Sequence, residues 1–113
     1  MKLSLPNIVL VAGLWAGMAL PVYALDADCP DLLYHHGYAS GAQFNCGYEF
    51  YNQSVIDRAA ECRAQAIEED VEEELMNILR MGVDDFNTGY DSTSSKHRFC
   101  AMVADEYSDF VAP

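Results

Sequence analysis

Residues 54–79 read SVIDRAAECRAQAIEEDVEEELMNIL, and the spacing of their apolar positions decides the fold class. Val55, Ala59, Ala60, Cys62, Ala66, Ile67, Val71, Leu75, Ile78 and Leu79 recur mostly at three- and four-residue intervals, which puts them along one side of a helix. Ser54-x-x-Asp57 has the form of a capping box with the shorter acid, so the helix is expected to begin at Ser54. The pattern runs on to Gly82 or Phe86. It reads as one long amphipathic helix, or as two that meet near Ile67.

Upstream, Asp28 can cap a helix whose opening turn holds Cys29 and Pro30, where the missing Pro N–H costs nothing. Leu33, Gly37, Gly41, Phe44, Tyr48 and Tyr51 then recur on one helical face. Gly37 and Gly41, one turn apart, would let another helix approach closely. Phe44, Cys46, Tyr48 and Phe50 also alternate as a strand would, and Asn52-Gln53-Ser54 is a break. Downstream, Asn87-Thr88-Gly89 and residues 91–95 carry loop chemistry. A last helix bears Phe99, Met102, Val103, Tyr107 and Phe110 beside Cys100. The expected fold is all-α, a small three- or four-helix bundle stapled by two disulfides.

The start of the chain reads as a secretory signal. Met1-Lys2 is a brief basic start, Ile8 to Leu20 is apolar, Pro21 breaks the run, and Val22-Tyr23-Ala24 presents small residues at the peptidase positions. The apolar run is about 13 residues, short of the roughly 20 that span a bilayer. The expected organisation is therefore a signal peptide over residues 1–24 and a single exported helical domain over 25–113, periplasmic or secreted, with no membrane insertion after cleavage. In such an oxidising compartment four cysteines imply disulfides rather than metal thiolates. Cys46 and Cys62 lie eight residues either side of Ser54, so a helical hairpin turning there would pair them and leave Cys29 with Cys100.

After residue 24 there remain five Lys and Arg against 18 Asp and Glu, a formal charge of about −13. That field repels nucleic acid and anionic lipid and favours basic proteins, polyamines or metal cations. Its sharpest concentration is the run from Glu68 to Glu74. On a continuous helix the run places Glu68 near Glu72 and Glu69 near Glu73, each like pair costing roughly 0.2–0.5 kcal/mol. A new helix starting near Ile67 would instead place the acids favourably at its N-terminus. The plain reading is a solvated face. The functional one is a docking surface on Glu68, Glu69, Glu72 and Glu73 for a partner with a basic surface, or a weak cation site. Tyr34, Tyr38 and Tyr51 are the tyrosines expected at that interface, since tyrosine serves well as an anchor.

Other chemistry is excluded by spacing. Asp85-x-Asn87-x-Gly89 begins like a calcium loop, but Tyr90 stands where glycine is required and Lys96 where the bidentate Glu should be. Residues 37–41 read G-x-x-S-G rather than the G-x-S-x-G of a nucleophile elbow. His35, His36 and His97 lack joint chelating geometry, and a thiolate from an oxidised Cys100 is out of reach. Asn52-Gln53-Ser54 is a sequon, accidental under bacterial export. No cofactor, catalytic residue or metal ligand is assigned, and no enzymatic activity is expected.

In size, acidity and helix content the chain is similar to acid-stress periplasmic chaperones and to immunity proteins that neutralise secreted toxins. No shared motif extends that likeness to any residue. The expected function is a small exported acidic binding protein acting by protein–protein interaction, as an inhibitor or immunity-type factor. A periplasmic acid-stress chaperone and an acidic cation-binding protein are the alternatives.

Overall fold

Asp70 divides the 54–79 run into two helices. The computed structural model describes residues 24–113. The expected signal peptide, but for its last residue, lies outside them. Asp70 adopts the left-handed conformation, φ 59°. Its N–H donates to the Ile67 carbonyl (3.2 Å), and the Val71 N–H reaches back to Ala66 (2.8 Å). This is a Schellman closure, in which the residue after the reversal packs against the last helical turn. Val71 and Ala66 are both buried, so the apolar contact is made.

Among the described residues there are four helices: α1 (Cys29–Cys46), α2 (Gln53–Glu68), α3 (Glu72–Ser92) and α4 (Lys96–Glu106). A two-residue strand β1 (Phe50–Tyr51) pairs antiparallel with β2 (Val111–Ala112), Phe50 opposite Ala112. The disulfide-stapled all-α fold is thus as expected. No helix among the described residues is long and apolar enough to cross a membrane.

α1 and α3 form the axis and run parallel. Gly37 lies against Leu79, Gly82 against Tyr34 and Tyr38, and Gly41 against Phe86. A Cβ at Gly37 would overlap the Leu79 carbonyl oxygen, and one at Gly82 the Tyr34 carbonyl oxygen. The close approach expected of Gly37 and Gly41 is therefore made, with Gly82 as its unread counterpart.

Two cores lie along this axis. Leu25, Cys29, Leu33, Ala59, Cys62, Ala66, Val71 and Leu75 form the first, where α2 packs against the start of α1. Ala39, Ala42, Tyr48, Phe86, Val103 and Val111 form the second, where α4 packs against its end.

One disulfide lies within the first core and the other packs against the second. Cys29 pairs with Cys62 (Cα–Cα 5.5 Å) and Cys46 with Cys100 (Cα–Cα 5.7 Å). The expected pairs, Cys46 with Cys62 and Cys29 with Cys100, are both wrong. The hairpin reading had the chain turn directly from one helix into the next. In fact residues 47–52 travel back beside α1, far enough for the Tyr51 hydroxyl to meet His36 Nδ1 at 2.6 Å. α2 starts only there. Cys62, nine residues and about 14 Å further along α2, then comes level with Cys29.

Three boundaries also differ from the sequence reading. α1 ends at Cys46 rather than running to Tyr51, because Gly47 takes a left-handed conformation (φ 71°) and its N–H closes onto Gln43 (3.0 Å). α2 is capped by Asn52, whose Oδ1 accepts from the Ser54 N–H (3.0 Å), and not by Ser54 itself. Asn52 is fixed there by the C-terminal segment, donating through its N–H to the Phe110 carbonyl (2.8 Å) and through Nδ2 to that of Asp109 (2.9 Å). Finally, α3 continues through the expected loop at Asn87-Thr88-Gly89 to Ser92. The Phe99 ring covers Gly89, and Phe86 and Tyr90 stack at 5.5 Å, so packing overrides the local turn chemistry.

Candidate functional site

The acidic run sits at the corner between α2 and α3. Glu68 closes α2, Glu69 is its cap, and Glu72, Glu73 and Glu74 occupy the first turn of α3, where the helix dipole favours negative charge. The corner separates Glu68 and Glu69 from Glu72 and Glu73, so the continuous carboxylate face does not form. Glu68, Glu69 and Glu73 are exposed. Glu72 is half-buried and paired with Arg63, Nε to Oε2 2.7 Å.

The three tyrosines lie elsewhere. Tyr38 stacks on Tyr107 (centroids 4.9 Å, planes 10° apart) and meets the edge of Phe86 at 5.5 Å. Tyr51, within β1, is bound to His36. Both are half-buried and pack against the second core. Tyr34 is half-buried and donates to Asp85, which stands 11 residues, about 17 Å, along α3 from Glu74. Acids and tyrosines therefore do not share one patch.

Sequence reasoning missed a cluster that α1, α3 and α4 assemble. Tyr34 and His35 on α1 meet edge-on at 5.2 Å. His35 Nδ1 lies 2.8 Å from the Tyr107 hydroxyl, and its Nε2 lies 3.4 Å from Asp31. Tyr107, just past the end of α4, also meets the edge of Phe110 at 5.4 Å. His35, Glu106, Tyr107 and Phe110 line an open depression of about 340 Å³. The phenols of the cluster are reluctant to ionise. The hydrogen bond to Asp85, with some desolvation, pushes Tyr34 up to about 12. Burial, then the neighbouring Tyr38 and Tyr34 phenols, with Glu106 and Asp31 after them, pushes Tyr107 up to about 12. Asp31-x-x-x-His35 was the one local signal; its link to a tyrosine 72 residues away was not legible.

A second group lies near the start of α1. Asp26, Asp28 and Cys29 bring three potential ligand atoms within 4.8 Å. Cys29 is in a disulfide, and the Arg58 guanidinium fills the position between the carboxylates, 3.0 Å from Asp26 and 2.7 Å from Asp28. The hydrogen bond from Gln65, then that from Arg58, holds Asp26 below the usual carboxylate range. The arrangement is a closed ion network rather than a metal centre.

His36 is half-buried, and burial lowers its pKa. His97 is exposed and lines, with the Cys46–Cys100 disulfide, a second depression of about 310 Å³.

The sequence matches no family model, no curated protein and no solved structure. The two disulfides are of the kind found in oxidising, extracytoplasmic compartments.

Proposed function

We propose that this is a small exported acidic binding protein, periplasmic or secreted, that acts by protein–protein interaction as an inhibitor or immunity-type factor does. The observation that supports this reading is the distribution of charge. Every Asp and Glu except Glu72 is exposed. Two of the five bases in residues 24–113 are engaged by acids, Arg58 with Asp26, Asp28 and Glu61, and Arg63 with Glu72. The remaining surface is a strong negative field on a frame held by two disulfides. Such a field speeds encounter with a basic partner and discriminates against acidic ones.

The test is capture from a cell-envelope extract at low salt on the immobilised, disulfide-bonded protein. A stoichiometric basic partner that salt releases is expected. Association with Glu68→Lys/Glu69→Lys/Glu73→Lys should then slow by about tenfold and depend less on salt. Unchanged kinetics and salt dependence in that variant would defeat the reading.

A further inference from the structure

The depression between α1 and α4 combines three properties that the acidic corner lacks. Its walls are aromatic, from Tyr107 and Phe110, with Tyr38 stacked behind Tyr107. A carboxylate from each of three helices stands around the cluster: Asp31 from α1, Asp85 from α3 and Glu106 from α4. Its volume of about 340 Å³ lies at the lower end of the range for ligand sites, suited to one side chain rather than a large cofactor.

An aromatic wall beside carboxylates selects an organic cation, because ring quadrupole and carboxylate both attract positive charge while the ring also covers an alkyl stem. The protein already makes such a contact within itself, Lys96 Nζ lying 4.6 Å from the Tyr90 ring centroid. Among the described residues no Lys or Arg is placed in that way over Tyr107 or Phe110.

We infer that the depression lined by His35, Glu106, Tyr107 and Phe110 receives a lysine or arginine side chain of the basic partner. The inference rests on the binding function proposed above and gives it a specific anchor point. The acidic corner supplies long-range attraction, and the aromatic depression supplies the short-range contact that fixes register. Glu106 is exposed, so its carboxylate can be removed without disturbing the core.

The test is an amide chemical-shift titration of the disulfide-bonded protein with N-acetyl-arginine amide and N-acetyl-lysine amide. Saturating shifts confined to His35, Glu106, Tyr107, Phe110 and their neighbours are expected, with millimolar affinity for so small a probe. Glu106→Gln should weaken binding about fivefold, the scale of one exposed charge pair, and its unfolding midpoint should match the wild type. Shifts centred on residues 68–74, or equal affinity in Glu106→Gln, would overturn the assignment. Spermidine binding the same residues more tightly than either capped amino acid would also overturn it, in favour of a free polyamine. A captured partner that binds Glu106→Gln as well as wild type would sink this inference and leave the proposed function standing.

Discussion

Replacing Gly82 with alanine tests the axis on which both cores depend. In an exposed helix interior the change would stabilise by about 0.8–1.0 kcal/mol through helix propensity. At Gly82 the added methyl would overlap the Tyr34 carbonyl oxygen and lie 2.9 Å from the Tyr38 nitrogen. Both are backbone atoms in the middle of α1, so no rotamer change relieves the clash. α1 and α3 must separate, and a gap of 0.5–1 Å already forfeits a quarter to a half of each contact's dispersion energy. Overpacking of this kind costs about 1–3 kcal/mol. With the crossing rigid on both sides, the upper figure applies, about 3 kcal/mol against the propensity gain of about 1, or a net loss of about 2 kcal/mol. For a domain of this size that lowers Tm by roughly 8–16 °C. Gly41→Ala is the control. Its Cβ would meet the Phe86 ring at 3.2 Å, and a side chain can yield where a carbonyl cannot. Its stability should stay within about 1 kcal/mol of wild type. Thermal and urea unfolding of the oxidised protein, followed by circular dichroism, measures both. A Gly82→Ala variant as stable as wild type, or more so, would refute the close crossing.

Further outcomes follow from other parts of the molecule. Cys29 and Cys62 are fully buried, whereas Cys46 and Cys100 are partly exposed, so limited reductant followed by alkylation and peptide mapping should label Cys46 and Cys100 first; equal labelling of all four would contradict this. Asp70→Gly should stabilise by about 0.5–1 kcal/mol, since glycine takes the left-handed conformation without the Cβ penalty, while Asp70→Val should destabilise by at least 1 kcal/mol; urea midpoints of the two variants in the opposite order would refute the closure at that corner. Burial holds the folded His36 pKa below its unfolded value near 6.5, so its contribution to stability is full above that pH and falls as the solution is acidified below it. Tyr34 and Tyr107 titrate at about 12 in the fold against about 10 unfolded, so their contribution is present below pH 10 and is lost as pH rises towards 12. A wild-type urea midpoint that fails to fall relative to that of His36→Gln on going from pH 7.5 to pH 5, or one that holds steady from pH 9.5 to pH 11.5, would contradict these signs.

Helix content and the Gly37–Gly41 stripe were legible because each depends on spacing within one segment. The disulfide partners were not, because they depend on how far residues 47–52 retrace α1, and that distance is set by contacts of Tyr51 with His36 and of Asn52 with the chain's last residues. Asn87-Thr88-Gly89 misled for a related reason. Its turn chemistry is local and genuine, but Phe99 from the next helix covers Gly89 and holds α3 intact. Among the candidate residues, Glu68, Glu69 and Glu73 are exposed, while Tyr38 and Tyr51 are half-buried against the second core. Tyrosine's dual character leaves that choice to tertiary structure. The depression at Tyr107 joins residues about 70 apart in the chain, beyond the reach of any periodicity.

The two disulfides interleave: Cys29 reaches past Cys46 to Cys62, and Cys46 reaches past Cys62 to Cys100. The four cysteines mark off three stretches of chain. A peptidase that cuts once in any two of these stretches produces three fragments, and every fragment remains bonded to another through a cystine. Nested bridges would release the central piece after cuts on either side of it; these retain it. A copy nicked within these stretches stays one covalent body, its surface charge undiminished.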